Sequence, residues 1–395
     1  MQQASDLNQK RIESIDLLRG LIMIIMALDH TRDFFHKAGL TGDPLDPATS
    51  TPILYFTRWI THFCAPGFVF LSGLSAWLQS QHKTKKELGR FLIIRGAWLI
   101  FIDLTVMSLG LTGDIYYGIF VLETLWSIGA SMIVLGLLIR LPFNVILMIG
   151  LLILFGHNLM DFGERSGAVP IWWSILHRPS IAPLWGNHSL FIFYPFLPWT
   201  GLMLLGYCCG KLFTDIQPQR RKKLLVTIGA AAMLFFVALR ASNTYGNPFP
   251  WAHQKNTMAS FFSFMNVQKY PPSLLFLCAT IGPLLIFLAL AKNTGSRFVK
   301  IVSVYGRVPF FYFIVHFYIL HIASIIAYLA RGHSVSEGMK GIPGLPFKFA
   351  MPGEGYSLGI VYLIWITVVV LMYPLCRWYD HYKTNHKEKW WLSYL

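Results

Sequence analysis

Long apolar runs bounded by charged residues or by Pro and Gly clusters recur along this chain at a spacing that fits membrane spans. They predict helices near residues 15–36, 59–79, 88–109, 119–139 and 143–160, then 189–211, 223–241, 272–291, 307–330 and 357–378. About ten transmembrane helices in one bundle make an all-α polytopic membrane protein. Apolar residues form 55% of the 395, a content that argues against a soluble enzyme. No internal repeat and no low-complexity tract divides the pattern. The chain therefore reads as a single domain over 1–395, with a polar segment 1–14 before the first span and a basic tail 379–395 after the last.

Basic residues set the expected orientation. Lys83, Lys85, Lys86 and Arg90, then Lys211 with Arg220 to Lys223, then Lys292, Arg297 and Lys300, fall in alternate loops. Lys10 and Arg11 precede the first span, and Arg377, Lys383, Lys387 and Lys389 follow the last. Positive loops stay in the cytoplasm, so both termini are expected there, N-in and C-in. The net charge of +15 is explained by this asymmetry and by attraction to anionic lipid heads, and no nucleic-acid partner is inferred. The first apolar run is too long for a cleaved signal and lacks a small-residue cleavage site. The five cysteines, Cys64, Cys208, Cys209, Cys278 and Cys376, have no metal-site spacing, so neither a metal nor a disulfide framework is expected. The longer loops, 161–188, 242–271 and 331–356, fall on the outer side. Their Trp172, Trp173, Trp185, Tyr245, Trp251, Tyr270 and Tyr356 suit either an interfacial belt or stacking on a sugar.

Chemistry enters with the first span, where Arg19 and His30 are eleven residues apart. Eleven helical steps turn through about 1100° and rise roughly 16 Å, which puts the two side chains on one face at different depths. Asp16 and Arg19, one turn apart, form either an interfacial ion pair or part of a site. His30 is either a helix-packing histidine or a functional one, and an intramembrane arginine on its face favours the latter. Asp33, one turn on, could orient the imidazole; Asp29 points elsewhere. At about 1.5 Å per residue, Asp16, Arg19, Arg90 and Arg95 fall in the inner half of the bilayer. Asp29, His30, Asp33, His62, Asp103, Glu123, His157 and His321 fall in the outer half, with Tyr312 and His316 near the middle. This division suits a donor with an anionic end near the cytoplasm and a reactive end reaching outward, as in acyl-coenzyme A. Histidine then serves as base or as nucleophile.

RIESIDLLRGLIMIIMALDH resembles the first helix of the transmembrane acyltransferase superfamily, and Arg19-x10-His30 matches the signature of its acyltransferase 3 branch. HFCAPGFVFLSGLSAWL resembles the second helix of the heparan-alpha-glucosaminide N-acetyltransferase catalytic-domain family, and IFVLETLWSIGASMIVLG its fourth. PFLPWTGLMLLGYCCGKL and YGRVPFFYFIVHFYILH are similar to later helices, so the likeness runs from about residue 11 to 325. It implies transfer of an acyl group, most often acetyl, from cytoplasmic acyl-CoA to an amine or hydroxyl of an extracytoplasmic carbohydrate. It also implies a place in a bacterial inner (plasma) membrane.

On that likeness the catalytic candidates are His30, Asp33, His62 and His321; the donor is assigned to Arg19 and Arg95, and the acceptor to Asp29, Tyr312, His316 and Glu123. Tyr312, His316 and His321 are equally readable as packing residues. The heparan enzymes carry their histidine beyond the first helix, toward the second, so His62 and His36 stand as alternates to His30. A proton-coupled transporter or exporter is the rival reading, since buried His, Asp and Glu also form proton relays. It would be expected to show paired broken helices and pseudo-repeats.

Overall fold

The computed structural model describes residues 13–39, 42–46, 49–163, 169–291, 295–341, 347–350 and 353–393. Lys10, Arg11 and Lys292 of the charge pattern lie outside them. The chain begins with α1 (Glu13–Phe35), followed by α2 (Pro52–Ile60), which runs through a 3-10 turn (Thr61–Phe63) into α3 (Cys64–Ser80). Next, α4 (Lys85–Ile102) passes through a π turn (Asp103–Met107) into α5 (Ser108–Thr112). After β1 (Ile119–Leu122) come α6 (Thr124–Leu138), α7 (Phe143–Gly156), α8 (Ile171–Leu176), β2 (Ser180–Pro183) and β3 (Ser189–Ile192). The remainder is α9 (Leu197–Thr214), α10 (Pro218–Ser242), α11 (Thr257–Met265), α12 (Leu274–Leu290), α13 (Arg297–Arg307), α14 (Pro309–Ala330), α15 (Val335–Lys340) and α16 (Leu358–Asn385).

Six of these stretches are long and apolar enough to cross a membrane: Pro52–Ser80, Lys85–Thr112, Phe143–Asp161, Pro218–Ser242, Pro309–Ala330 and Leu358–Asn385. α6 and α12 are apolar but shorter. α1 has the length, yet Asp16, Arg19, Asp29, Arg32 and Asp33 make it too polar to face lipid. Accordingly it is enclosed, packed against α3, α13, α14 and α16. The outer helices show the reverse pattern, with Leu152 and Phe155 of α7, Leu234 and Val237 of α10 and Ile366 and Val370 of α16 exposed.

Backbones are drawn together by glycine. A Cβ on Gly73 would lie 2.0 Å from the Met203 carbonyl oxygen, and one on Gly206 would lie 2.2 Å from that of Phe70. α3 and α9 therefore touch main chain to main chain, running parallel. Gly96 and Gly129 join α4 to α6 in the same way, antiparallel, and Gly229 with Gly282 joins α10 to α12. Gly20 faces the Val302 carbonyl and Gly306 that of Asp16, locking α13 against α1. Small residues at such contacts let helices pack where lipid gives no hydrophobic drive between them.

Two of the expected spans start too early. Residues 119–122 and 189–192 are strands, with β1 parallel to β3 from Ile119↔Ser189 to Leu122↔Ile192 and β2 antiparallel on the other side of β3. The fold is thus predominantly but not wholly α. Short β-branched and aromatic runs such as IFVL and SLFI carry no period that separates strand from helix. α8, α11 and α15 also occupy stretches expected to be loop, and α13 is an amphipathic helix that the apolar-run criterion passes over.

The π turn connects this sheet to α4. Ser108 Oγ bonds the Asp103 carbonyl at 3.0 Å and accepts the Val121 N–H at 2.9 Å. Asp103 Oδ2 accepts the Glu123 N–H at 2.6 Å, so the residue entering α6 is fixed from inside the bundle. The loop before α12 has its own anchor, Arg240 at the end of α10. Its guanidinium donates to the carbonyls of Phe249, Ser263, Phe264 and Asn266 at 2.7–2.9 Å.

Replacing Gly206 by Leu should lower the thermal unfolding temperature in detergent, since overpacking costs about 1–3 kcal/mol. Gly359, with nothing within 4 Å of an added Cβ, should take the same change with little effect. Equal melting of the two variants would refute the close α3–α9 contact.

Candidate active site

Among the described residues, two adjoining cavities hold most of the candidate side chains. The larger, about 890 Å³, is lined by Asp29, His30, Arg32, Asp33, Arg58, His62, Glu123, Arg240, Lys269 and Tyr270, with Phe191, Phe193 and Tyr194 from the end of the sheet. The smaller, about 310 Å³, is lined by Arg19, Arg95, Arg307 and Lys383 together with Ser72, Ser75 and Gln79. Phe68, Thr124 and Phe313 belong to both walls. The separation of Arg19 from His30 along α1 therefore becomes a separation between two adjoining chambers.

In the smaller chamber Arg19 donates to Ser75 Oγ at 2.9 Å and to the Gly306 carbonyl at 3.1 Å, and pairs with Asp16 at 3.4 Å. The Asp16 ion pair is real, and the same guanidinium still lines the cavity. Arg95 comes from α4 and Lys383 from α16. Arg307 is held by Asp380 through Nε and Nη2, both at 2.8 Å. Arg307 and Lys383 were not foreseen as site residues. Arg307 lies inside YGRVPFFYFIVHFYILH, the stretch similar to a later helix of the family, and Lys383 belongs to the basic tail of the charge pattern.

The larger chamber is organised by an ion network on α1 and α2. Arg32 Nη2 meets Asp29 at 3.0 Å and Asp33 at 2.5 Å, while Arg58 meets Asp29 at 2.6 Å and donates to Thr61 Oγ1 at 3.1 Å. Asp33 is therefore engaged by Arg32, and the group touching His30 is another histidine. Asp29, assigned to the acceptor, is occupied by two arginines. Arg32 and Arg58 were overlooked because the apolar window hid the first and excluded the second.

His30 Nδ1 lies 2.9 Å from His316 Nε2, with the rings stacked at 5.1 Å and 10°. His316 Nδ1 lies 2.6 Å from the Tyr312 carbonyl oxygen. A carbonyl only accepts, so Nδ1 of His316 carries the proton, and with both rings neutral its Nε2 accepts from His30 Nδ1–H. His30 Nε2 is then left with its lone pair and with no hydrogen-bond partner among the described residues. Phe317 packs edge-on at 4.7 Å and Phe313 at 6.1 Å, fixing the ring. The arrangement has the base-and-orienter logic of a catalytic dyad, with histidine in the orienting role.

The remaining candidates separate clearly. His62 is 1% exposed, lines the larger chamber and has no partner for either ring nitrogen among the described residues. Glu123 lines the same chamber, while its N–H is tied to Asp103. His321 turns away, bonding the Gly110 carbonyl through Nδ1 and stacking on Phe34 at 4.8 Å. It lies outside the chamber, because its position on α14 faces α5. Tyr312 is fully buried behind His316, its ring stacked on that imidazole at 4.8 Å. His36 lines a separate recess of about 60 Å³, where its Nδ1 accepts the Ala38 N–H. Of the outer aromatic residues expected in loops, Tyr270 reaches the chamber, whereas Trp172 and Trp185 are exposed.

The sequence pattern of the heparan-alpha-glucosaminide N-acetyltransferase catalytic domain matches residues 11–252. The chain belongs to that family. No individual curated protein matches it. The family is one of acetyltransferases, and its apolar helices make this member a membrane protein. The proton-coupled transporter gains no support from that kinship. The matched stretch holds Arg19, Asp29, His30, Arg32, Asp33, Arg58, His62, Arg95 and Glu123. The heparan-alpha-glucosaminide N-acetyltransferase match stops short of Lys269, Arg307, Tyr312, His316, His321 and Lys383.

Substituting His316 by Phe keeps a stacked ring and removes the acceptor. Nitrogen NMR of histidine-labelled protein should show His30 as the Nδ1–H tautomer in the wild type and as a tautomer mixture in this variant. An unchanged His30 signal would show that His316 does not set the tautomer.

Proposed function

We propose that this protein is an integral membrane acetyltransferase that takes an acetyl group from cytoplasmic acyl-CoA and passes it to an amine or hydroxyl of an extracytoplasmic, carbohydrate-like acceptor. The observation that carries this reading is the shared wall of Phe68, Thr124 and Phe313 between a cationic chamber and the chamber of His30. A donor with a phosphate-bearing end and a thin reactive arm fits that pair of spaces. Arg19 and Arg95, joined by Arg307 and Lys383, suit the phosphates, because guanidinium forks bind phosphate oxygens strongly. Their neighbours Ser72, Ser75 and Gln79 add polar contacts.

A bound acyl thioester supplies an activated carbonyl. His30 accepts the proton of the attacking hydroxyl or amine at Nε2, and His316 holds the ring in the tautomer that leaves this atom basic. Asp29, held by Arg32 and Arg58, lies within electrostatic reach of the imidazolium that forms. Phe313 and Phe317 keep the ring in place and limit water around it.

The helix packing supports a topology for this chemistry. The parallel α3–α9 pair and the α3–α4, α6–α7 and α9–α10 connections gather Lys83, Lys85, Lys86, Arg140, Lys211 and Arg220 to Lys223 near the smaller chamber. We infer that this end is cytoplasmic, which gives ten spans with both termini inside, in one domain within a plasma membrane. The larger chamber, bordered by the loops around Lys269 and Phe249, then opens to the far side.

Calorimetry with acetyl-CoA on the purified protein tests the donor. Arg19→Ala should weaken binding by roughly tenfold or more, the loss expected for a charge-assisted hydrogen bond. His30→Ala should bind normally and lose about 10²–10⁴-fold in turnover, the usual contribution of a positioned base. No binding to folded wild type would overturn the donor assignment, and wild-type turnover in His30→Ala would overturn the base.

A further inference from the structure

Lys269 is a second catalytic candidate that neither the apolar pattern nor the family match reaches. It sits in the loop before α12, lines the chamber of His30 and is 8% exposed. The other cations of that chamber are accounted for. Arg32 and Arg58 are balanced by Asp29 and Asp33, and Arg240 is spent on main-chain carbonyls. Among the described residues, the ammonium of Lys269 has no carboxylate within ion-pair distance and no hydrogen-bond acceptor. Its partner among them is the face of Tyr270, 5.1 Å from the ring centroid. It lies within electrostatic reach of Asp29, His30, His62 and Glu123. An ammonium that lines the chamber with only a ring face for a partner has its N–H donors open to a negative charge that arises there during function.

We propose that Lys269 stabilises the oxyanion formed during acyl transfer, which rests on the acetyltransferase reading above. The acceptor nitrogen or oxygen forms a bond to the thioester carbon as His30 Nε2 takes its proton. The carbonyl π pair moves onto oxygen, where Lys269 meets the developing charge. Collapse re-forms the carbonyl and breaks the C–S bond, and His30 returns the proton to sulfur, so acetylated acceptor and thiol leave with His30 and Lys269 unchanged. A fixed cation acts most strongly where charge appears only in the transition state.

The test is thiol release from acetyl-CoA by the full-length protein in nanodiscs, with D-glucosamine as the acceptor probe and with water alone. Wild type is compared with Lys269→Met and Lys269→Arg. Lys269→Met should lose about 10²–10³-fold in kcat, as for removal of an oxyanion donor, with unchanged acetyl-CoA affinity and melting temperature. Lys269→Arg should recover part of that loss. A higher KM for glucosamine at intact kcat would overturn the proposal and make Lys269 an acceptor anchor. Wild-type rates in Lys269→Met would overturn it outright. If Lys269→Met melts early, Lys269→Arg decides: a stable arginine variant no more active than the methionine one would refute a role for the charge. No release by wild type, under either condition, would overturn the acetyltransferase reading itself.

Discussion

Charge inside a membrane has to be neutralised by protein, and the acids and bases of α1 impose that demand on everything around them. Asp29, Arg32, Asp33 and Arg58 neutralise one another at 2.5–3.0 Å, and Asp16, Ser75 and the Gly306 carbonyl attend Arg19. A helix with these needs cannot lie at the edge. The lipid-facing work is left to α7, α10 and α16, whose exposed residues are apolar, and glycine contacts bring the inner helices close enough to enclose α1. The two chambers are the spaces left beside this helix, which is why its polar residues point into both.

Much of this was legible from sequence. The long apolar runs marked most of the helices, and the separation of Arg19 from His30 along the first helix corresponds to two adjoining cavities. The superfamily likeness of the first helix is matched by the family kinship. Other features resisted for definable reasons. β1 and β3 are too short for period to identify them, and their pairing joins residues 70 apart in sequence (Ile119 and Ser189). Asp33 was assigned to His30 by helical spacing, but Arg32, adjacent in sequence, competes for it with a full charge. His316 could be placed at a depth and not at a ring nitrogen, because spacing within α14 says nothing of its rotation toward α1. Lys269 lies in a loop that returns over the chamber, a position that no local pattern encodes.

The shared wall is itself built of unequal parts. Thr124 opens α6 immediately after the strand that Asp103 and Ser108 pin to the π turn, so one face of the partition is rigidly built. Phe68 and Phe313 come from α3 and α14, helices joined through α1. The partition therefore combines a fixed edge with two aromatic side chains whose torsions are the softer coordinates.

Arg240 is satisfied entirely by main-chain oxygens. A side-chain partner would have tied this anchor to particular residues in the loop, whereas carbonyls are offered by every amino acid. The guanidinium therefore holds the loop's path through atoms that a substitution at Phe249, Ser263, Phe264 or Asn266 leaves in place. This stretch of the larger chamber's rim thus owes its path to backbone atoms.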